Sequence, residues 1–167
     1  MTVRNTELDG IFIGLLVERQ HKSDLVRAGF DGFYSYFATD RFSYGSTWGH
    51  WREIMKFAKE RNKIFIPSIG PGYIDTRIRP WNAKNVRNRD NGTYYMSASK
   101  FASDVRPDFL SITSFNEWHE GTQIEPAIRK KVGTDLYYLD YGLQGPYYYL
   151  GLTRKIVDQY LNMWNKG

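Results

Sequence analysis

Apolar and polar positions alternate in type along this chain, and the alternation sets the element order. Ile11 to Val17 is a near-continuous apolar run, the mark of a strand buried on both faces. Ser23 then offers an N-cap, Leu25 to Ala28 carries helical spacing, and Gly29 can close that helix. Gly32 to Phe37 reads as a second strand. Trp51, Ile54, Met55 and Ala58 recur at i, i+3, i+4 and i+7, predicting an amphipathic helix over 48–61. Lys63 to Ile69 is the third predicted strand. Tyr94, Ala98, Phe101 and Val105 stripe a third helix, stopped by Pro107, and Asp108 to Phe115 is the fourth strand. Tyr149, Leu152, Ile156, Val157, Tyr160 and Trp164 mark the last helix.

Strand followed by helix, four times over, is the grammar of a parallel sheet wrapped by helices. The connections are unequal in an orderly way. Helix-to-strand links are short, as at Gly29 to Asp31, whereas strand-to-helix links are long: 38–47, 70–91 and 116–145. Long loops in a compact domain are usually functional, and in this topology they all fall on one face. At 167 residues the chain has the length of one domain. A closed eight-unit barrel needs about 250 residues, so either an open doubly wound sheet or half of a barrel fits.

Composition narrows the function classes. Hydrophobic residues make up 41% and charged residues 25%, as in soluble globular domains. No apolar run reaches the roughly 18 residues of a membrane span, and the Met1 end lacks a signal-peptide layout. The net charge of +5 is spread among acids. Its densest stretch, Arg77 to Arg89, sits in a predicted loop with no nucleic-acid module around it, so no nucleic-acid partner is expected. The absence of cysteine excludes disulfides and thiolate chemistry. Asn91-Gly92-Thr93 is both a glycosylation sequon and a turn signal, and the turn is the simpler reading.

The chemistry concentrates where the fourth strand ends, in Asn116-Glu117-Trp118-His119-Glu120. Two carboxylates three residues apart, among an amide, an indole and an imidazole, are the equipment of glycosidic hydrolysis. One group must protonate the leaving oxygen while the other supports the anomeric centre. Neighbouring carboxylates also push their pKa values apart. Glu-x-x-Glu is common on helix surfaces, but an interposed Trp at a strand end is unlike a solvated helix face. A metal site is the rival, with Glu117, His119 and Glu120 as ligands. The segment has one His where zincins place two, and His21 and His50 lie in other loops, so no metal or other cofactor is expected. His119 is then a hydrogen-bonding partner that orients a carboxylate or a sugar hydroxyl. Gly70-Pro71-Gly72-Tyr73 lacks the Lys-Ser/Thr of a phosphate loop, and its glycines are expected to let the backbone turn at the mouth. Arg77, Arg79 and Trp81 are candidate substrate contacts or solvated surface. Tyr36 points either into the core or to the mouth.

Four segments together carry a resemblance: Phe115 to Glu125, Ile66 to Thr76, Ile78 to Asn82, and Gly29 to Phe37. From about Ile11 to the C-terminus the chain resembles the endo-α-1,2-mannosidases of glycoside hydrolase family 99. The resemblance implies a (β/α)8 TIM-type barrel of which 1–167 is a partial catalytic domain, its four C-terminal βα units. The first four units and any N-terminal membrane anchor would then be missing, leaving a missing N-terminal half-barrel as partner. It also implies retaining cleavage of internal α-1,2-mannosidic bonds in a high-mannose oligosaccharide or N-glycoprotein, in the Golgi for animal members. In that family the sugar's own 2-hydroxyl attacks, through a 1,2-anhydro intermediate. Mapped onto this sequence, Glu117 would deprotonate that hydroxyl, and Glu120 would protonate the leaving group and then activate water. Tyr36 and Arg79 fall at motif positions resembling active-site contacts, and Trp81, Asn116, Trp118 and His119 complete the expected substrate-binding set. The reading from another class is a catalytically silent carbohydrate-binding or regulatory half-barrel.

Overall fold

A computed structural model describes residues 3–134 and 136–165. The strand–helix order runs β1 (Ile13–Leu15), α1 (His21–Arg27), β2 (Gly32–Tyr34), α2 (Trp51–Lys59), β3 (Ile64–Ile66), β4 (Ser68–Ile69), α3 (Thr93–Asp104), β5 (Ser111–Ile112), β6 (Lys130–Val132), β7 (Leu136–Tyr138) and α4 (Tyr148–Trp164). β1, β2 and β3 pair in parallel in that order, and β4 pairs in parallel with β5. Pro67, which has no N–H to give the ladder, divides the predicted third strand into β3 and β4. All the strands predicted from the sequence are therefore parallel. They are shorter than the apolar runs suggested.

The register explains where the core lies. Gly14, Phe33 and Phe65 are aligned across the sheet, and the two Phe side chains are buried against α2 through Phe57. On α2 the predicted stripe Trp51, Ile54, Met55 and Ala58 is buried as its spacing required. Leu15 lies one residue out of that row, on the opposite side of the pleat, and is exposed. A closed barrel would bury that second face.

Several boundaries and faces differ from expectation. Ser23 is not an N-cap; α1 begins at His21, so Ser23 already lies in its first turn. Gly29 does close the helix, at φ +83°. In α3 the buried face is Tyr95, Ala98 and Ala102 rather than the stripe through Tyr94 and Phe101. Those two rings pack instead on Trp48, at centroid distances of 5.1 and 5.3 Å. In α4, Tyr149, Leu152 and Ile156 are buried, while Val157 and Trp164 are exposed. Asp90, Asn91 and Gly92 all take positive φ, so the Asn-Gly pair makes a turn. The segment 116–145 is not one structureless loop, because it contains the antiparallel hairpin β6–β7.

Candidate active site

The loop that follows β5 is closed by its own hydrogen bonds. Ser114 N–H donates to Thr122 O at 3.0 Å, Thr122 N–H to Glu117 O at 3.1 Å, and Glu125 N–H to Phe115 O at 2.9 Å. The Glu117 N–H donates to Ser114 Oγ at 2.9 Å, and Ser114 and Thr122 share a hydroxyl contact of 2.8 Å. These bonds hold Glu117 and Glu120 on a short arch at the carboxyl end of the sheet. Gly121 makes the arch possible. Its φ is +62°, and a Cβ there would sit 2.5 Å from Ile74 Cγ2, so the position excludes a side chain twice over. The arch is tied to the neighbouring loop by Ile74 N–H donating to Glu120 O at 2.8 Å.

That neighbouring loop follows β4. Gly70 lies between β4 and a bend at Pro71 and does not take a positive φ. It lets two backbones meet, since a Cβ would fall 2.3 Å from Thr113 O. Beyond it, Arg79 Nη1 donates to Glu120 Oε1 at 3.3 Å and to Asp75 Oδ2 at 3.2 Å. Asp75 is 0% exposed, and the same Oδ2 accepts from Tyr73 Oη at 2.9 Å and Asn82 Nδ2 at 2.8 Å. Its Oδ1 is buried with no hydrogen-bond partner among the described residues.

The two acids have different surroundings. Glu117 Oε1 accepts the His119 backbone N–H at 3.0 Å. Glu120 keeps a side-chain exposure of 23%, and burial pushes its pKa up from the ordinary carboxylate value. The Arg79 charge pulls it back, while Glu117 and Asp75 add to the rise. Tyr36 completes the cluster. It leaves β2 at φ +54°, a left-handed conformation costing about 1–3 kcal/mol in a bulky residue, and its carbonyl accepts Thr113 Oγ1 at 2.7 Å. Tyr36 is 40% exposed, and its pKa is raised by burial and then by the charges of Glu120 and Glu117. Its phenol therefore serves the mouth and not the core.

Of the residues singled out in the sequence, Tyr36, Arg79, Glu117 and Glu120 are brought together. The others are not. The His119 ring is turned away onto Tyr138, whose Oη lies 2.8 Å from Nδ1, and its backbone rather than its imidazole serves a carboxylate. Trp118 donates its indole N–H to Glu125 and lies edge-on to Tyr138 at 5.9 Å. Both aromatic rings of the motif thus face the hairpin β6–β7. Among the described residues the Asn116 side chain makes no hydrogen bond; its carbonyl accepts Trp118 N–H at 3.1 Å. Trp81 is 79% exposed over an open groove of about 670 Å3 shared with Phe42 and Arg87. Arg77 lies over the Tyr138 ring at 5.3 Å. Sequence reasoning missed Asp75, Tyr73 and Asn82. The only signal was an Asp four residues before an Arg in a loop leaving a strand. Among the described residues no group of three or more His, Asp or Glu is placed to hold a metal ion, and no helix is long and apolar enough to cross a membrane.

Parallel βα units with paired carboxylates at the carboxyl ends of their strands define a half-barrel of the TIM type, of glycoside hydrolase character. The model of glycosyl hydrolase family 99 matches residues 1–162, and the chain belongs to that family. A Xenopus laevis protein named glycoprotein endo-alpha-1,2-mannosidase is 58% identical over 96% of this chain. A Homo sapiens protein named glycoprotein endo-alpha-1,2-mannosidase-like protein is 56% identical over the same share. The chain spans 35% of the length of each. Among solved structures, the GH99 endo-alpha-mannosidase of Bacteroides thetaiotaomicron, in complex with bis-tris-propane, superposes with a TM-score of 0.94 at 49% identity. That match covers 99% of this chain and 51% of the other.

Proposed function

We propose that this chain carries the catalytic acids of a retaining endo-acting glycoside hydrolase that cleaves internal α-1,2-mannosidic bonds. The observation that supports this best is the unequal treatment of two adjacent carboxylates. Glu120 is raised by burial and stays protonated to higher pH than an ordinary carboxyl, whereas Glu117 accepts a backbone N–H on the same arch. A carboxyl that holds its proton suits a leaving-group acid, and a carboxylate fixed by its own backbone suits a base.

In this reading Glu117 takes the proton of the 2-hydroxyl on the sugar whose bond is cut. That oxygen attacks C1 as the C1–O bond to the leaving sugar breaks, giving a 1,2-anhydro sugar, and Glu120 delivers its proton to the departing oxygen. Glu120, now a carboxylate, takes a proton from water as the water attacks C1. The epoxide opens, and O2 regains its proton from Glu117. Configuration at C1 is inverted twice and so retained. Tyr36, beside both acids, donates to a sugar or carboxylate oxygen, and Arg79 holds Glu120 in place.

The substrate class is a glucosylated high-mannose oligosaccharide or N-glycoprotein, which in an animal source places the reaction in N-glycan processing in the Golgi. The test is to incubate the chain with a glucosylated high-mannose oligosaccharide and follow released glucosyl-mannose. Release supports the enzyme; binding without release supports a silent carbohydrate-binding half-barrel instead.

A further inference from the structure

We propose that Asp75 is a positioning residue that holds Arg79 in a shared hydrogen bond, so that the guanidinium reaches Glu120 without pairing fully with it. This rests on the reading of Glu120 as the leaving-group acid. A single guanidinium nitrogen, Arg79 Nη1, serves both carboxylates at nearly equal distances, 3.2 Å to Asp75 and 3.3 Å to Glu120. Both are longer than a well-made charge-assisted bond of about 2.7–2.9 Å. Asp75 is itself fixed, since Tyr73 and Asn82 also donate to its Oδ2 and it is wholly buried. The position of Arg79 is therefore set by a rigid buried acceptor rather than by Glu120.

The consequence is a protonation state. An Arg free to form a two-pronged pair with Glu120 would stabilise the carboxylate and drive its pKa down by about 1–3 units. Such a pair would oppose the protonated state that a leaving-group acid needs. The charged groups that bear most on Glu120 take part in this balance. Arg79 opposes protonation; Glu117 on its own arch and Asp75 on the neighbouring loop favour it. Tyr73 on that loop and Tyr36 at the end of β2 sense its charge. Asp75 acts twice in the same direction, through its own charge and by detaining Arg79.

The Glu120 carboxyl carbon, labelled with 13C and assigned by its loss in Glu120→Gln, is titrated by NMR in this chain. Asp75→Asn, nearly isosteric, should lower the Glu120 midpoint by about one pH unit or more. Tyr73→Phe removes a competing donor to Oδ2 and draws Arg79 toward Asp75, so it should raise the midpoint. In an Arg79→Met background the effect of Asp75→Asn should fall to less than about half, because the detained group is gone. An unmoved midpoint in Asp75→Asn overturns the proposal, as does an equal shift with and without Arg79, which would mark a through-space charge only. If Asp75→Asn does not fold, Tyr73→Phe decides alone: a downward or absent shift overturns the idea. The underlying reading of Glu120 fails on a separate measurement, namely if Glu120→Gln cleaves an unactivated mannoside as fast as the wild type.

Discussion

Replacing Glu53 by Gln perturbs the contact that ties α1 to α2. Lys22, on α1, has a side chain only 10% exposed, and its Nζ donates to Glu53 Oε1 at 2.6 Å and to Tyr44 Oη at 2.8 Å. The ammonium also lies over the Tyr44 and Phe57 rings at 5.0 and 5.2 Å. The Lys22 hydrogen bond is the largest influence on Glu53, and with Arg19 it outweighs burial to pull the carboxyl from 4.5 down to about 2. Converted at 1.36 kcal/mol per pH unit, that fall sets a ceiling of ~3.4 kcal/mol. Glu53 is 44% exposed, so solvent screening reduces the contribution to about 1 kcal/mol. Gln keeps a neutral carbonyl acceptor for Lys22 but removes the negative charge beside a nearly buried ammonium, and Glu53→Gln should destabilise by about 1–2 kcal/mol at pH 7. The sign follows from a depressed carboxyl. Its stabilisation is fully present above the unfolded value near 4.5 and is lost as pH falls toward 2. Urea unfolding followed by tryptophan fluorescence, to which the buried Trp51 contributes, at pH 7, 5 and 3.5 gives the difference between wild type and variant, in which every other acid cancels. A gap that stays constant down to pH 3.5 refutes the reasoning, as does additivity of Glu53→Gln with Lys22→Met.

The two acids should separate by leaving group. Glu120→Gln should lose about 10²–10⁴-fold on an oligosaccharide yet keep appreciable first-step turnover on a mannosyl fluoride, whereas Glu117→Gln should be inactive on both; rescue of Glu117→Gln alone would swap the roles. Gly121→Ala should destabilise by about 1–3 kcal/mol, since it meets Ile74 and a positive φ together, and an unchanged thermal midpoint would contradict the arch. Hydrolysis should persist in a chelator, and activity that is lost to one and restored by a divalent ion would show that a metal takes part.

What the sequence disclosed and what it withheld divide along physical lines. The strand–helix order and the single-sided long loops were legible because strands stand out as apolar runs such as Ile11 to Val17, even though Ile11 and Leu15 are exposed here. The α3 face was not legible: its aromatics surround the helix, so Tyr94 and Phe101 matched a helical stripe as well as Tyr95 and Ala102 did. Trp48 decided the matter by covering the first pair. The hairpin carried its own signal, Gly133-Thr134-Asp135 between Val132 and Leu136, yet short strands of Lys and Tyr show no clear alternation. That omission bears on the site: Trp118 and His119 read as substrate contacts by residue type, and the hairpin supplies the Tyr138 that both of them touch.

Glu117 and Glu120 were visible because their spacing is local. The state of Glu120 was not, because it depends on a loop more than 40 positions away bringing Asp75 and Arg79 beside it. No periodicity encodes that approach. Gly70 and Gly121, where two backbones and then an arch and a side chain meet without room for a Cβ, are a further local trace of it. In the proposed reading, a sequence advertises the groups that react sooner than the groups that position them, and the second kind, Tyr73, Asp75, Arg79 and Asn82, lies within ten residues on the loop after β4.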